Sequence, residues 1–283
     1  MTTAASNYAG VYDAALAADR FSDHQMPGDH WADMAEMFRL DPRRPKDANL
    51  SVLASYLEPS DVLLDVGGGA GRVSLALADC VQEVVLIEPS ESMREQFVIA
   101  REQAGITNAR IAADWWMDSD ETGDVIHLSD VTYFVRDIAP FIAKLHNSAG
   151  RRVMIELWRP TPGDMGSVLE SVVLGETPPR WPGLPELAAA LWEMGLLPEI
   201  RPLPDEPWWL TDAERGLSDA DAVALAMRWL DAEDEETRAA VSNKLDQVFD
   251  RTPNGLTPRW LSSPRAVLLT WETDGIPLGK SGG

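Results

Sequence analysis

From residue 62 onward the chain alternates short apolar, β-rich runs with helical ones, and this alternation limits the fold more than any other feature. The β-rich runs are VLLDV at 62–66, VVLIE at 84–88, ARIAA at 109–113, DVIHL at 124–128 and RRVMIEL at 151–157. Between them RVSLALADC, SESMREQFVIAREQA and IAPFIAKLHN read as helices. The runs are near-continuous in apolar residues, as strands covered on both faces must be. Repeated strand–helix units imply right-handed crossovers in an open, doubly wound sheet. PGLPELAAALWEMG reads as a further helix, LLPEIRPL as a sixth strand and RAVLLTWE, at 265–272, as a seventh. The expected class is therefore α/β, with a doubly wound, mostly parallel seven-stranded sheet.

The flanks read as additions to that sheet. Residues 8–40 look helical and amphipathic, with Tyr8, Tyr12, Phe21, Trp31, Met34, Met37 and Phe38 as the large apolar positions. NLSVLASYLE reads as a helix closed by Pro59, and 211–250 as an acidic helical stretch. A core strand follows that stretch, so a single domain over 1–283 is expected. It divides into an N-terminal helical cap (1–58), an α/β core (59–203 and 264–273) and a helical insertion before the last strand (204–263).

Charge narrows the partners. Twenty-four Lys and Arg face 46 Asp and Glu, a formal net charge of −22. Such a surface repels phosphate backbones and anionic lipid, so neither nucleic acid nor membrane is an expected partner. No tract reaches the roughly 18 apolar residues of a membrane span. The first twenty residues lack a basic region followed by an apolar one. The single cysteine, Cys80, lies in apolar SLALADC and reads as a packing residue. A cytoplasmic location is the expectation.

The stretch VLLDVGGGAG ends the first strand in glycines, which admit positive φ and let a ligand approach bare backbone. A helix starting near Arg72 would aim its first amides at the same place. Dinucleotide sites use G-x-G-x-x-G. Here Gly67, Gly69 and Gly71 make G-x-G-x-G, and Arg72 stands where the third dinucleotide glycine belongs. Asp65, two positions before Gly67, suits a ligand with an amino group better than a pyrophosphate.

LLDVGGGAGRVSLALA resembles the first motif of class I S-adenosylmethionine-dependent methyltransferases, and the likeness extends over about residues 50–157. It implies a Rossmann-like methyltransferase fold, S-adenosylmethionine as cofactor, and a small-molecule acceptor methylated at oxygen or nitrogen. It also implies a cofactor site of Asp65, Gly67, Gly69, Gly71, Glu88, Pro89, Met93, Asp114, Trp115 and Ser129. By the family's pattern Glu88 would accept from the ribose hydroxyls and Met93 would pack on the adenine. Asp114 and Trp115 would support the base, while Ser129 and Asp130 would lie near the methionine part. Tyr133 and Phe134 could wall the reacting methyl, since aromatic faces suit a sulfonium.

Arg43 or Arg44 could pair with the cofactor carboxylate. His24 or His30, in the cap, is a candidate for the acceptor pocket. His127 reads as a satisfied core residue and His146 as a surface one. The Trp-rich segments RWPGLPE and EPWWLTD, with 211–263, are expected to shape an apolar acceptor pocket. No motif supplies a catalytic base or a metal site. The rival readings are a nicotinamide-dependent oxidoreductase, against which Arg72 in place of glycine speaks, a binding protein that keeps the cofactor fold without catalysis, and a protein methyltransferase.

Overall fold

The structure, a computed structural model, describes residues 2–18, 28–113, 115–204, 216–261, 265–274 and 277–278. The strands are β1 (Val62–Val66), β2 (Glu83–Ile87), β3 (Ala109–Ala113), β4 (Gly123–Ser129), β5 (Ala149–Arg159), β6 (Glu199–Pro202), β7 (Phe249–Thr252), β8 (Gly255–Pro258) and β9 (Arg265–Glu272). Seven of them form one sheet in the order β3-β2-β1-β4-β5-β9-β6. Strand β9 runs antiparallel to β5 and β6, and the other pairings are parallel. The chain lays β2 and β3 on one side of β1 and then crosses to β4 on the other. The carboxyl ends of β1 and β4 therefore flank the switch point, where an open α/β sheet forms its crevice.

The helices are α1 (Ala4–Ala17), α2 (Ala48–Ala54), α3 (Glu91–Gln103), α4 (Ile138–Ser148), α5 (Ser167–Leu174), α6 (Leu184–Glu193), α7 (Asp219–Trp229), α8 (Glu235–Asn243) and α9 (Leu245–Val248). Alternate strand residues feed two apolar layers. Leu64, Val85, Ile126 and Ile155 pack with Tyr8 of α1, Phe141 and Leu145 of α4, and Leu187 and Leu191 of α6. Leu63, Val84, Val125 and Met154 face the other way, against Leu50 and Leu53 of α2, Leu75 and Leu77, and Phe97 of α3. Each fully buried Leu or Ile contributes about 1.5–3 kcal/mol, which is why apolar runs without alternation hold the centre of this sheet.

Several sequence expectations need correcting. Residues 8–40 do not form one amphipathic helix: α1 ends at Ala17, and a short 3₁₀ turn, Ala35–Phe38, follows after turns. RVSLALADC is not an α-helix either. Turns lead into a 3₁₀ helix at Leu75–Cys80. No helix N-terminus therefore stands at Arg72. The acidic stretch gives α7, α8 and α9, then a hairpin of β7 and β8 that was not anticipated. The P-N-G turn at 253–255 was its signal. These elements build a separate apolar cluster with α5, from Leu169, Leu225, Val241, Phe249 and Trp260. Among the described residues no helix is long and apolar enough to cross a membrane.

Candidate functional site

The loop after β1 carries Gly67, Gly69 and Gly71 at φ +66°, +56° and +76°. Its first amide, Gly67 N–H, donates to the carbonyl of Ile87 at 2.7 Å and ties the loop to the end of β2. At Gly71 both conformation and space demand glycine. A Cβ there would lie 2.5 Å from Phe97 Cδ2 and 2.7 Å from Leu75 Cγ. Gly71→Ala is expected to lower stability by about 2–4 kcal/mol, the left-handed strain plus overpacking, read as a lower denaturant midpoint.

Glu88 follows β2 directly. Its Oε2 accepts from Gly69 N–H at 2.9 Å and its Oε1 from Ser90 N–H at 2.8 Å. Burial raises its pKa; the two amides work against that rise. Ser90 also caps α3, accepting from Met93 N–H at 3.1 Å. Met93 is buried with Ala70 of the glycine loop and Ala35 of the cap, beside Trp31 and Phe38.

The cap segment is pinned by Asp29. Its Oδ1 accepts from Ser90 Oγ at 2.8 Å, and its Oδ2 accepts from Ser92 N–H at 2.7 Å. Burial opposes the carboxylate charge, but the hydrogen bonds from Ser92, Ser90 and Trp31 outweigh it and hold the pKa down to about 2. Thus anchored, the Trp31 ring stands edge-on to Phe38 at 5.6 Å and to Phe134 at 6.2 Å. It spans the gap between the glycine loop and the loop after β4. His30 stacks edge-on against Trp31 at 5.3 Å, within the cap.

At the end of β4 the backbone of Asp130 is left-handed, at φ +63°, a conformation uncommon outside glycine. Its Oδ2 accepts from Trp158 Nε1–H at 3.3 Å, and the Arg72 guanidinium lies 3.8 Å away. Its Oδ1 is buried without a hydrogen-bond partner. Burial, offset in part by Arg72, pushes the Asp130 pKa up to about 6. The turn beyond it is fixed from both sides. Tyr8 O–H of α1 donates to Thr132 O at 2.6 Å, and Tyr133 O–H donates to Trp158 O at 3.3 Å.

Beneath these loops lies a charged network. His127 of β4 is paired in register with Asp65 of β1. Its Nδ1 is 2.9 Å from Asp65 Oδ1, and its Nε2 is 2.8 Å from Glu156 Oε1 of β5. Burial disfavours an imidazolium, yet the hydrogen bonds to Asp65 and Glu156 prevail and its pKa is pushed up to about 9. Among the described residues no three acidic, His or Cys groups are arranged to hold a metal ion.

A cavity of about 260 Å³ opens beside the network, at the carboxyl ends of β4 and β5. Arg44, Asp47, Asn49, Arg72, Ser129, Glu156 and Trp158 supply its polar lining, and Leu50, Leu53 and Val73 much of its apolar wall. The Arg44 guanidinium also donates to the Arg72 carbonyl at 2.8 Å.

The structure thus brings Asp65, Gly67, Gly69, Gly71, Glu88, Met93 and Ser129 around one crevice. Pro89 sits exposed at its edge, and the Trp115 side chain is 56% exposed. Asp114, His24 and all of EPWWLTD lie outside the described residues. Arg43 is not at the crevice: its guanidinium lies against Gly105, beyond the far end of α3. His146 is not on the surface. It is buried and accepts from Trp271 Nε1–H at 3.1 Å. Trp181 of RWPGLPE packs edge-on against Tyr12 at 5.4 Å, and no described residue of 216–261 lines this cavity. Asp29, Trp31 and Glu156 were missed as site residues. None sits in a motif; only the strand order and the cap fold bring them in.

Comparison with known proteins adds the family. The family described as "Methyltransferase domain" matches residues 35–197. The uncharacterized methyltransferase YcgJ of Bacillus subtilis is 26% identical over 138 residues, 44% of this chain and 53% of that protein. The protein-L-isoaspartate O-methyltransferase of Roseiflexus is 29% identical over 119 residues, 42% of this chain and 45% of that one. The chain spans about half the length of these curated relatives. Among solved structures, YcgJ superimposes with a TM-score of 0.51 at 17% identity, covering 80% of this chain and 97% of that one. The mycolic acid cyclopropane synthase CmaA1 gives 0.50 at 14% identity, covering 89% and 98%. At such identities the superpositions speak to the fold alone.

Proposed function

This chain belongs to the methyltransferase domain family, and on that premise we propose that it transfers a methyl group from S-adenosylmethionine to an oxygen or nitrogen of a small-molecule acceptor. One observation carries the reading: at the switch point the Glu88 carboxylate holds the amide of Gly69 in a loop whose three spaced glycines are all left-handed. Each Glu88 oxygen spends one acceptor position on a backbone amide, which leaves each another for a ribose hydroxyl. Met93 offers an apolar surface to the adenine. The cavity suits a zwitterionic amino-acid tail. Arg44 and Arg72 match its carboxylate, while Ser129 and Glu156 match its ammonium. The Asp130 Oδ1 atom, buried and unpartnered, is a further acceptor beside it.

When bound, the cofactor supplies an electrophilic methyl on a sulfonium. The chain's part is to align donor and acceptor for in-line displacement and to keep water out. Trp31 and Phe134 close over the crevice, and Phe134 offers an aromatic edge beside it. The acceptor proton then leaves to a carboxylate or to water. The net charge of −22 favours neutral or cationic acceptors. A cytoplasmic setting goes with this reading.

The test is incubation with S-adenosylmethionine and a panel of small alcohols, amines and carboxylic acids, scored by release of S-adenosylhomocysteine. Release that depends on one acceptor class is expected. No release with any of them, from protein that binds S-adenosylhomocysteine, would contradict small-molecule transfer. It would favour a non-catalytic binder or a protein substrate.

A further inference from the structure

The proposed reaction makes no direct use of His127, yet this side chain joins the two halves of the site. Asp65, His127 and Glu156 come from β1, β4 and β5 and are 1%, 1% and 8% exposed. A neutral imidazole has one N–H, so it could donate to one carboxylate and would turn a lone pair on the other. Meeting both carboxylates as a donor needs the doubly protonated ring. The two acids underlie the two parts of the crevice. Asp65 Oδ2 is buried without a partner and lies under the glycine loop, where a Cβ on Gly68 would come within 2.0 Å of it. Glu156 lines the cavity beside Arg72 and Ser129. The other charged groups facing the network are Glu88 from the end of β2, Asp130 beyond β4 and Arg72 of the glycine loop.

We propose that His127 is a positioning residue. As an imidazolium it holds Asp65 beneath the glycine loop and Glu156 at the cavity floor, and so sets the affinity for the amino-acid end of the cofactor. The inference rests on the cofactor reading above. A buried histidine that only filled space would not need both nitrogens on carboxylates aimed at the ligand side. Because Glu156 supplies the negative charge for the ligand's ammonium, its charge matters as well as its shape.

Titration calorimetry with S-adenosylhomocysteine, paired with thermal melting, tests this on His127→Asn, His127→Gln and Glu156→Gln. The Asn amide keeps a donor toward Asp65 and drops Glu156; Gln does the reverse. All three are expected to bind about tenfold more weakly or worse, the loss of a hydrogen bond to a charged group. The double variant H127N/E156Q separates positioning from mere stability. Removing the stranded charge is expected to restore the melting temperature while affinity stays low. Affinity that returns with the melting temperature overturns the proposal, as does wild-type affinity in the folded single variants. If the His127 variants fail to fold, Glu156→Gln decides, and unchanged affinity there overturns it. Wild-type protein that binds no S-adenosylhomocysteine is a different failure: it removes the cofactor reading itself, and this inference with it.

Discussion

His127→Leu is expected to destabilise the fold by about 3–5 kcal/mol, the cost of stranding buried charges by removing their partner. The leucine fills the space but leaves Asp65 and Glu156 facing each other across β4 with no cation between them. The same network predicts how the wild type responds to pH. The imidazolium pKa is about 9 in the folded protein and about 6.5 in an unfolded chain. Folding thus gains from the proton, and that gain is fully present below about pH 6.5. It fades as pH rises through about 9, a loss on the order of 3 kcal/mol. Denaturant unfolding at pH 6 and pH 9.5 should show this loss in the wild type and little of it in His127→Leu. An equal decline in both would place the pH sensitivity elsewhere.

Glu88→Ala is expected to weaken S-adenosylhomocysteine binding by roughly a hundredfold or more. Two hydrogen bonds from ribose to a charged acceptor account for that size, at about 1.5–3 kcal/mol each before compensation. The anchor of Gly69 is lost in the same change, so the loop also loses its register with β2. Glu88→Gln should fall between, since the amide still accepts on one side. Burial holds the Glu88 pKa above the ordinary carboxylate value. Wild-type affinity should therefore begin to fall, on acidification, at a higher pH than an exposed glutamate would cause.

Much of the frame was legible because burial on both faces leaves a plain mark. The runs at 62–66, 109–113 and 265–272 coincide with β1, β3 and β9. The glycine loop was legible for a different reason: three spaced glycines after a strand have few other uses. The cap was not. Aromatic spacing in 8–40 marks Tyr8 and Trp31 as large apolar positions, but not that one locks Thr132 and the other bridges Met93 and Phe134. His127 shows the limit most clearly. A lone histidine in an apolar strand reads as core, and its partners lie 62 and 29 residues away along the chain. Only the β1-β4-β5 order makes them neighbours, and strand order is not written in local pattern. His146 had a signal that went unused. It lies four residues after Ile142, on the buried face of α4 with Leu145.

Whether the crevice at the β1–β4 switch point holds S-adenosylmethionine is decided by titrating the wild type and Glu88→Ala with S-adenosylmethionine, S-adenosylhomocysteine and NADH in a calorimeter. Micromolar binding of both sulfur compounds to the wild type is expected, lost in Glu88→Ala, with no heat from NADH. No binding of either sulfur compound, or a preference for NADH, would contradict the cofactor reading.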